Sequence, residues 1–195
     1  MKIKLTTEMK KYIIQSLLLT VFLILILGFI YPVFIRGIAY LSPGSGNGKE
    51  TIYKGRIVGF DLIGQDFTSD KYFHGRPSSV GYNASGSGGS NKSIYNPDYI
   101  KTMEATLDTF LVHNPGITRK DVPVELITAS GSGLDPDISP PAAYVQVPRI
   151  ARARGLRSEE IQNLINRMTE KPFLGFLGPE KVNVLKLNIE LDKLQ

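Results

Sequence analysis

The sequence predicts a single N-terminal transmembrane helix followed by one small α/β or α+β domain on the extracytoplasmic side of the membrane. Three observations carry that expectation. Tyr12 to Ile35 is an apolar run without one Asp, Glu, Lys, Arg or His, close to the ~20 residues that cross a bilayer core as helix. Lys2, Lys4, Lys10 and Lys11 precede the run against a single acid, Glu8, whereas Arg36 is the only charge between its far end and Lys49. The rest of the 195-residue chain is long enough for one hydrophobic core and too short for a second large domain.

The run is apolar all round, which separates a spanning helix from an amphipathic one lying in the interface. The positive-inside rule then makes residues 1–11 cytoplasmic, 12–35 the span, 36–50 a tether and 51–195 an outer domain. Tyr12, Tyr31 and Tyr40 stand where interfacial aromatics anchor a span, and Pro32 falls in its last turn, where a lost donor is tolerated. A cleaved signal peptide would use the small residues Gly37 and Ala39, yet signal h-regions stop at roughly 15 residues. The absence of cysteine removes lipoprotein acylation, disulfides and thiolate metal sites. Net charge is +5, of which residues 1–36 carry +4 (five basic, one acidic) and the remainder +1 (18 basic, 17 acidic). The basicity belongs to the membrane anchor, so lipid is an expected partner and nucleic acid is not.

Ser42 to Gly48 has no apolar side chain to bury and reads as flexible. Ile52-Tyr53 and Arg56 to Phe60 read as two strands around a Lys54-Gly55 turn, the second running on toward Leu62-Ile63. Gly64 to Pro97 is rich in Gly, Ser, Asn and aromatics, and its Phe67, Tyr72, Phe73, Tyr82 and Tyr95 favour an ordered loop pinned to a core or a partner. Asn96-Pro97 starts a helix whose stripe is Ile100, Met103, Leu107, Phe110 and Leu111, ending at Asn114-Pro115-Gly116. Val122 to Ala129 reads as a short edge strand, and Ser130 to Pro141 as a second unusual loop. Ala142 to Arg154 reads as helix broken at Pro148 and closed by Gly155, and Ser158 as the cap of another, with Ile161, Leu164, Ile165 and Met168 inward. Val182, Val184, Leu187, Ile189 and Leu191 nearly alternate and read as a C-terminal strand, with Leu185 out of step.

No pattern amounts to a catalytic or metal site. Ser85 to Asn91 is glycine-rich enough to expose N–H groups to a phosphate, but it lacks the phosphate-loop spacing and its lysine. Ser130 and Ser132 lie near Asp135 and Asp137, and His74 or His113 would complete a hydrolase triad, making a membrane-tethered hydrolase the rival reading. The glycines there fall one place away from a nucleophile elbow. Asp61, Asp66 and Asp70, or Asp135 with Asp137, lack the spacing of a calcium loop. Arg149, Arg152, Arg154 and Arg157 read as a solvated helix face.

Six blocks in order carry a resemblance. They are G-Q-D-F (Gly64 to Phe67), Y-F-H-G-R-P-S (Tyr72 to Ser78), G-G-S-N (Gly88 to Asn91), A-S-G-S-G-L-D-P-D-I-S-P (Ala129 to Pro140), Q-V-P-R-I-A-x-A-R-G (Gln146 to Gly155) and V-N-V-L-x-L-N (Val182 to Asn188). Behind one N-terminal span, this order closely resembles the C subunit of the Kdp potassium-transporting ATPase, the KdpC family, over essentially the whole chain. Asp137 stands where that family often has histidine. The resemblance implies a non-catalytic accessory subunit in a bacterial plasma-membrane complex with a P-type ATPase subunit, a potassium-channel-like subunit and a small single-span subunit.

The family's C subunit has been described as a catalytic chaperone that raises the ATP affinity of the P-type subunit, its Ser-Gly-Gly-Ser segment being likened to a transporter ATPase signature. That implies a nucleotide-related role for Ser85, Gly86, Gly88, Gly89, Ser90 and Asn91, with ATP held on the partner subunit. An outer domain cannot touch cytoplasmic ATP, so any such effect is coupling through the membrane subunits. The expected partner-facing residues are Gln15, Thr20 and Gly28 in the span and Phe67, Tyr72, Phe73 and Tyr82 in the domain. Gln15 has the simpler alternative of reaching the headgroups.

Overall fold

The computed structural model describes residues 6–194, so Lys2 and Lys4 of the basic flank lie outside the described residues. The chain divides into two compact units, Met1–Gly48 and Lys49–Gln195.

The first unit is a helix over Thr7–Ala39, 33 residues, suited by length and composition to cross a membrane. It comprises α1 (Thr7–Leu25), a π-helical turn (Ile26–Ile30) and α2 (Tyr31–Ala39), and no side chain in it is buried. The π turn ends just before Pro32, whose missing N–H withdraws the donor that the Gly28 carbonyl would use in a regular helix. Ser16 and Thr20 donate to the Ile13 and Ser16 carbonyls at 3.0 and 2.8 Å, so neither brings an unpaired hydroxyl into an apolar setting. The helix continues to Ala39, past the end of the apolar run.

The second unit is a small α/β region with two two-stranded sheets. Strands β1 (Glu50–Tyr53) and β2 (Arg56–Phe60) pair antiparallel with Tyr53 opposite Arg56. Lys54 and Gly55 both have positive φ, the requirement of the tight hairpin turn that follows strand twist. β2 stops at Phe60 and does not reach Leu62-Ile63, because Asp61 turns inward and is buried.

Four helices build the core: α4 (Pro140–Tyr144), α5 (Val147–Arg154), α6 (Ser158–Met168) and α7 (Val184–Asp192). Ile150, Ile161, Ile165, Leu187 and Leu191 are fully buried among them. The break between α4 and α5 falls at Val145-Gln146, since Pro148 has no N–H to return to Tyr144. Gly155 closes α5 in the left-handed conformation, as the sequence suggests. Arg157, not Ser158, occupies the cap of α6, with the Glu160 carboxylate accepting from its N–H.

Two expected strands do not form. Val122 to Ala129 instead contains a 3-10 turn, Val124–Leu126, after Pro123, which has no ladder donor, and Leu126 is buried. At the C-terminal end only Val182–Asn183 (β4) is strand, pairing antiparallel with Asp137–Ile138 (β3). The Asn183 side chain then caps α7 by accepting from the Lys186 N–H at 3.1 Å. Val184, Leu187, Asn188 and Leu191 form one buried helical face, and Leu185, anomalous in a strand, is buried beside it.

The long segment after Gly64 is ordered by side-chain amides. Asn188 accepts from the Phe73 N–H at 2.8 Å and donates to its carbonyl at 3.0 Å. Gln146 does the same for His74, at 2.9 and 3.1 Å. Two amides thus replace the neighbouring strand that an extended segment normally needs.

Asn188→Ala or Gln146→Ala strips a backbone N–H and C=O of their partners, at about 1–3 kcal/mol for each buried group left unpaired. Each is expected to lower the thermal midpoint of the purified full chain by several degrees, while Gln162→Ala on the exposed face of α6 leaves it unchanged.

Candidate functional site

The amide clamp lays Asp66 to Tyr82 beside helix α3 (Pro97–His113), leaving a groove of about 640 Å³ between them. Asn96 caps α3 by accepting from the Asp98 and Tyr99 N–H groups. The helix buries only Phe110, so much of its length is available as a wall. Thr102, Thr106 and Thr109 face the groove, each hydroxyl donating to the carbonyl four residues back at 2.8–2.9 Å.

Of the expected partner-facing residues in the domain, Phe67 and Tyr82 line this groove. The Tyr82 hydroxyl donates to the Arg76 carbonyl, and burial, then the Asp66 and Asp135 charges, push its pKa up to about 12. Phe73 is fully buried in the core and presents nothing to a partner. Tyr72 is half-buried, tilted against Phe67 with ring centroids 5.8 Å apart and stacked under the Arg154 guanidinium. In the first unit, Thr20 and Gly28 share a shallow apolar groove with Leu23, Ile24 and Leu27. Gln15 lies about 140° around the helix from Thr20 and takes no part in it.

The two glycine-rich loops meet each other. Gly88 donates to the Ser132 carbonyl at 2.8 Å and Ser78 Oγ to the Gly133 carbonyl at 2.6 Å. Gly133 has positive φ, and a Cβ there would stand 2.5 Å from Val80, so glycine is required for this approach. Of the residues for which the family resemblance implies a nucleotide-related role, the Ser85 and Gly86 N–H groups bond Asn83 and that of Gly88 bonds Ser132. Gly89 packs on Gly131, and Ser90 and Asn91 follow it.

The serines and histidines are not brought together. Ser130 is buried, with its N–H on the Pro77 carbonyl, and Ser132 Oγ accepts from the Leu134 N–H. His113 Nδ1 meets Asp70 at 2.8 Å, and His74 Nε2 meets the Ser69 carbonyl at 3.1 Å. Burial, then the Arg149 charge, hold His74 below the usual histidine pKa. Four of the five aspartates weighed as metal ligands are engaged: Asp135 with Arg76, Asp137 with Lys181, Asp61 with Lys49 and Lys186, and Asp70 with His113, whereas Asp66 lines the groove. Among the described residues no group of three or more acidic or histidine side chains is placed to hold a metal ion.

Arg149 and Arg154 do not belong to a solvated face, since both side chains are 2% exposed. Arg149 donates to Asn114 Oδ1, the Asp70 carbonyl and Gln146 Oε1, tying the end of α3 to the clamp. Its pKa is lowered by burial to about 10, leaving it charged at neutral pH. Arg154 pairs with Asp192 at 2.7 Å. The enclosure of Arg149 and Arg154 corrects the expectation of a solvated face, which gave the Gln146 side chain no role; an Arg and a Gln three apart were the available signal.

The family model described as the c chain of K+-transporting ATPases matches residues 13–193, spanning both units. The chain belongs to the KdpC family. The potassium-transporting ATPase KdpC subunit of Bacteroides fragilis is 53% identical over 156 residues, 79% of this chain and 82% of that one. That of Flavobacterium psychrophilum is 44% identical over 185 residues, 95% of this chain and all of its own length. The KdpC subunit of Caldanaerobacter subterraneus is 43% identical over 178 residues, covering 91% and 92% of the two chains.

Where the chain enters the domain, the buried Asp61 carboxylate meets Lys49 at 2.8 Å, Lys186 at 3.0 Å and the Thr51 hydroxyl at 2.6 Å. Burial pushes its pKa up, but the hydrogen bonds from Lys49, Thr51 and Lys186 outweigh burial and hold it well below the usual carboxylate range. A carboxylate depressed in the folded state adds stability that is complete above its unfolded pKa of about 4 and is lost as pH falls toward the folded value. The thermal midpoint is therefore expected to fall as pH is taken from 5 to 3, and Asp61→Asn should be destabilised at pH 7 with a shallower acid slope.

Proposed function

We propose that this chain is the non-catalytic accessory subunit of an ATP-driven potassium-uptake complex in a bacterial plasma membrane. Its partners are a P-type ATPase subunit, a potassium-channel-like subunit and a small single-span subunit. The observation that carries the reading is the family match, which runs through the apolar helix and the domain together. The N-terminus lies in the cytoplasm and the domain outside, supported by the lysine excess before the span. The Thr20–Gly28 groove packs on a partner helix, since small and hydroxyl residues allow close approach in lipid. The groove beside α3, with Phe67 and Tyr82, covers the outer mouth of the channel-like subunit and steadies the entry path for potassium. The chain's effect on ATP affinity is exerted from this outer position by coupling through the membrane subunits, with ATP held on the P-type subunit.

The absence of cysteine makes the orientation testable. Lys120→Cys is expected to react with a membrane-impermeant maleimide in intact spheroplasts, and Thr7→Cys only after lysis; the reverse pattern would overturn the outer placement. Gly28→Leu is expected to reduce recovery of the P-type ATPase with the chain several-fold, with Gln15→Leu near wild type. Normal recovery with Gly28→Leu would end the claim of specific helix packing.

A further inference from the structure

We propose that the hairpin between Pro172 and Pro179 is a second membrane contact, a rigid wedge that enters the interfacial layer of a bilayer. Its sequence, P-F-L-G-F-L-G-P, contains no charge and no hydrogen-bonding side chain. Phe173, Leu174, Phe176 and Leu177 are 70, 69, 75 and 51% exposed, a continuous apolar tip of a kind that soluble surfaces rarely show.

The tip is not slack. Glu170 and Lys181 exchange both backbone hydrogen bonds at its base, and the Lys181 ammonium pairs with Asp137 at 2.7 Å. At the turn, Phe173 and Leu177 exchange hydrogen bonds at 3.0 and 2.9 Å, Gly175 donates to the Pro172 carbonyl at 2.9 Å and Phe176 to the Phe173 carbonyl at 3.3 Å. Pro172 and Pro179 have no N–H to satisfy. The N–H groups of Phe173, Gly175, Phe176 and Leu177 are thus paired before any contact is made, whereas those of Leu174 and Gly178 have no partner among the described residues, which suits the tip to the hydrated interfacial layer rather than to the hydrocarbon centre.

Lipid fits this chemistry because the tip offers no side-chain hydrogen bond by which a protein partner would fix its orientation, and an interfacial layer needs none. The flanking charges Glu170, Lys171, Glu180 and Lys181 cancel, so the surface it meets need not be anionic. A bilayer is within reach. Ten residues, Tyr40 to Lys49, separate the apolar helix from β1, and ten extended residues span at most ~35 Å. That tether holds the whole domain at high effective concentration near the membrane, so weak partitioning of the tip suffices. The inference does not depend on which side the domain occupies.

The test uses the full chain in phosphatidylcholine nanodiscs, with Leu174→Cys carrying an environment-sensitive fluorophore and Glu159→Cys, at the far end of α6, as the reference. Doxyl-labelled lipid is expected to quench the label at 174 several-fold more than that at 159, with a blue-shifted emission that Phe173→Ser and Phe176→Ser together abolish. Equal quenching at the two positions, or quenching that survives loss of both phenylalanines, would overturn the proposal. So would a photoreactive phenylalanine analogue at Phe176 that, in the purified whole complex, cross-links to a protein subunit rather than to lipid.

Discussion

The domain depends on two primary amides that hold an extended strand-like segment from opposite sides. Phe73 and His74 cross the interior with no neighbouring strand, and an extended backbone buried without partners is costly. Asn188 on α7 and Gln146 at the start of α5 each supply a donor and an acceptor in the spacing a ladder would give. Arg149 braces Gln146 and reaches the Asn114 cap of α3. One polar cluster therefore joins the core helices, the long loop and the groove-lining helix. The ring of Phe73, fully buried in the hydrophobic core, adds the apolar component.

From this clamp the rest of the surface follows. A domain with two two-stranded sheets and no disulfide has few ways to order its long glycine-rich segments. Here they order each other: once His74 is held, Ser78 reaches Gly133, and Gly88 reaches Ser132. The result is a groove whose Thr102, Thr106, Thr109, Ser78 and Tyr82 hydroxyls and two histidines are engaged within the domain.

The anchor, the first hairpin, the cap and stop of α3, and the inner stripe of α6 were legible in the sequence. Each rests on a local rule: apolar length, a Lys-Gly turn, an Asn-Pro start, a 3.6-residue period. The C-terminal segment was misread because Val182, Val184, Leu187, Ile189 and Leu191 satisfy a loose alternation, while the deciding residue, Asn183, acts as a helix cap only in its three-dimensional setting. The clamp itself was invisible for the same reason. Asn188 lies 115 residues from Phe73, and an isolated amide gives no period by which to find it. The arginine cluster looked like a solvated face because charge usually marks one, and only packing reveals that Arg149 and Arg154 are enclosed.

Amide hydrogen exchange on the full chain tests the clamp most directly. The account expects the Phe73 and His74 amides to exchange as slowly as those in the middle of α6, and Asn188→Ala to release Phe73 together with the Ser78–Ser90 loop while α6 stays protected. Fast exchange at Phe73 and His74 in the unaltered chain, or no change at Phe73 on removing the Asn188 amide, would contradict it.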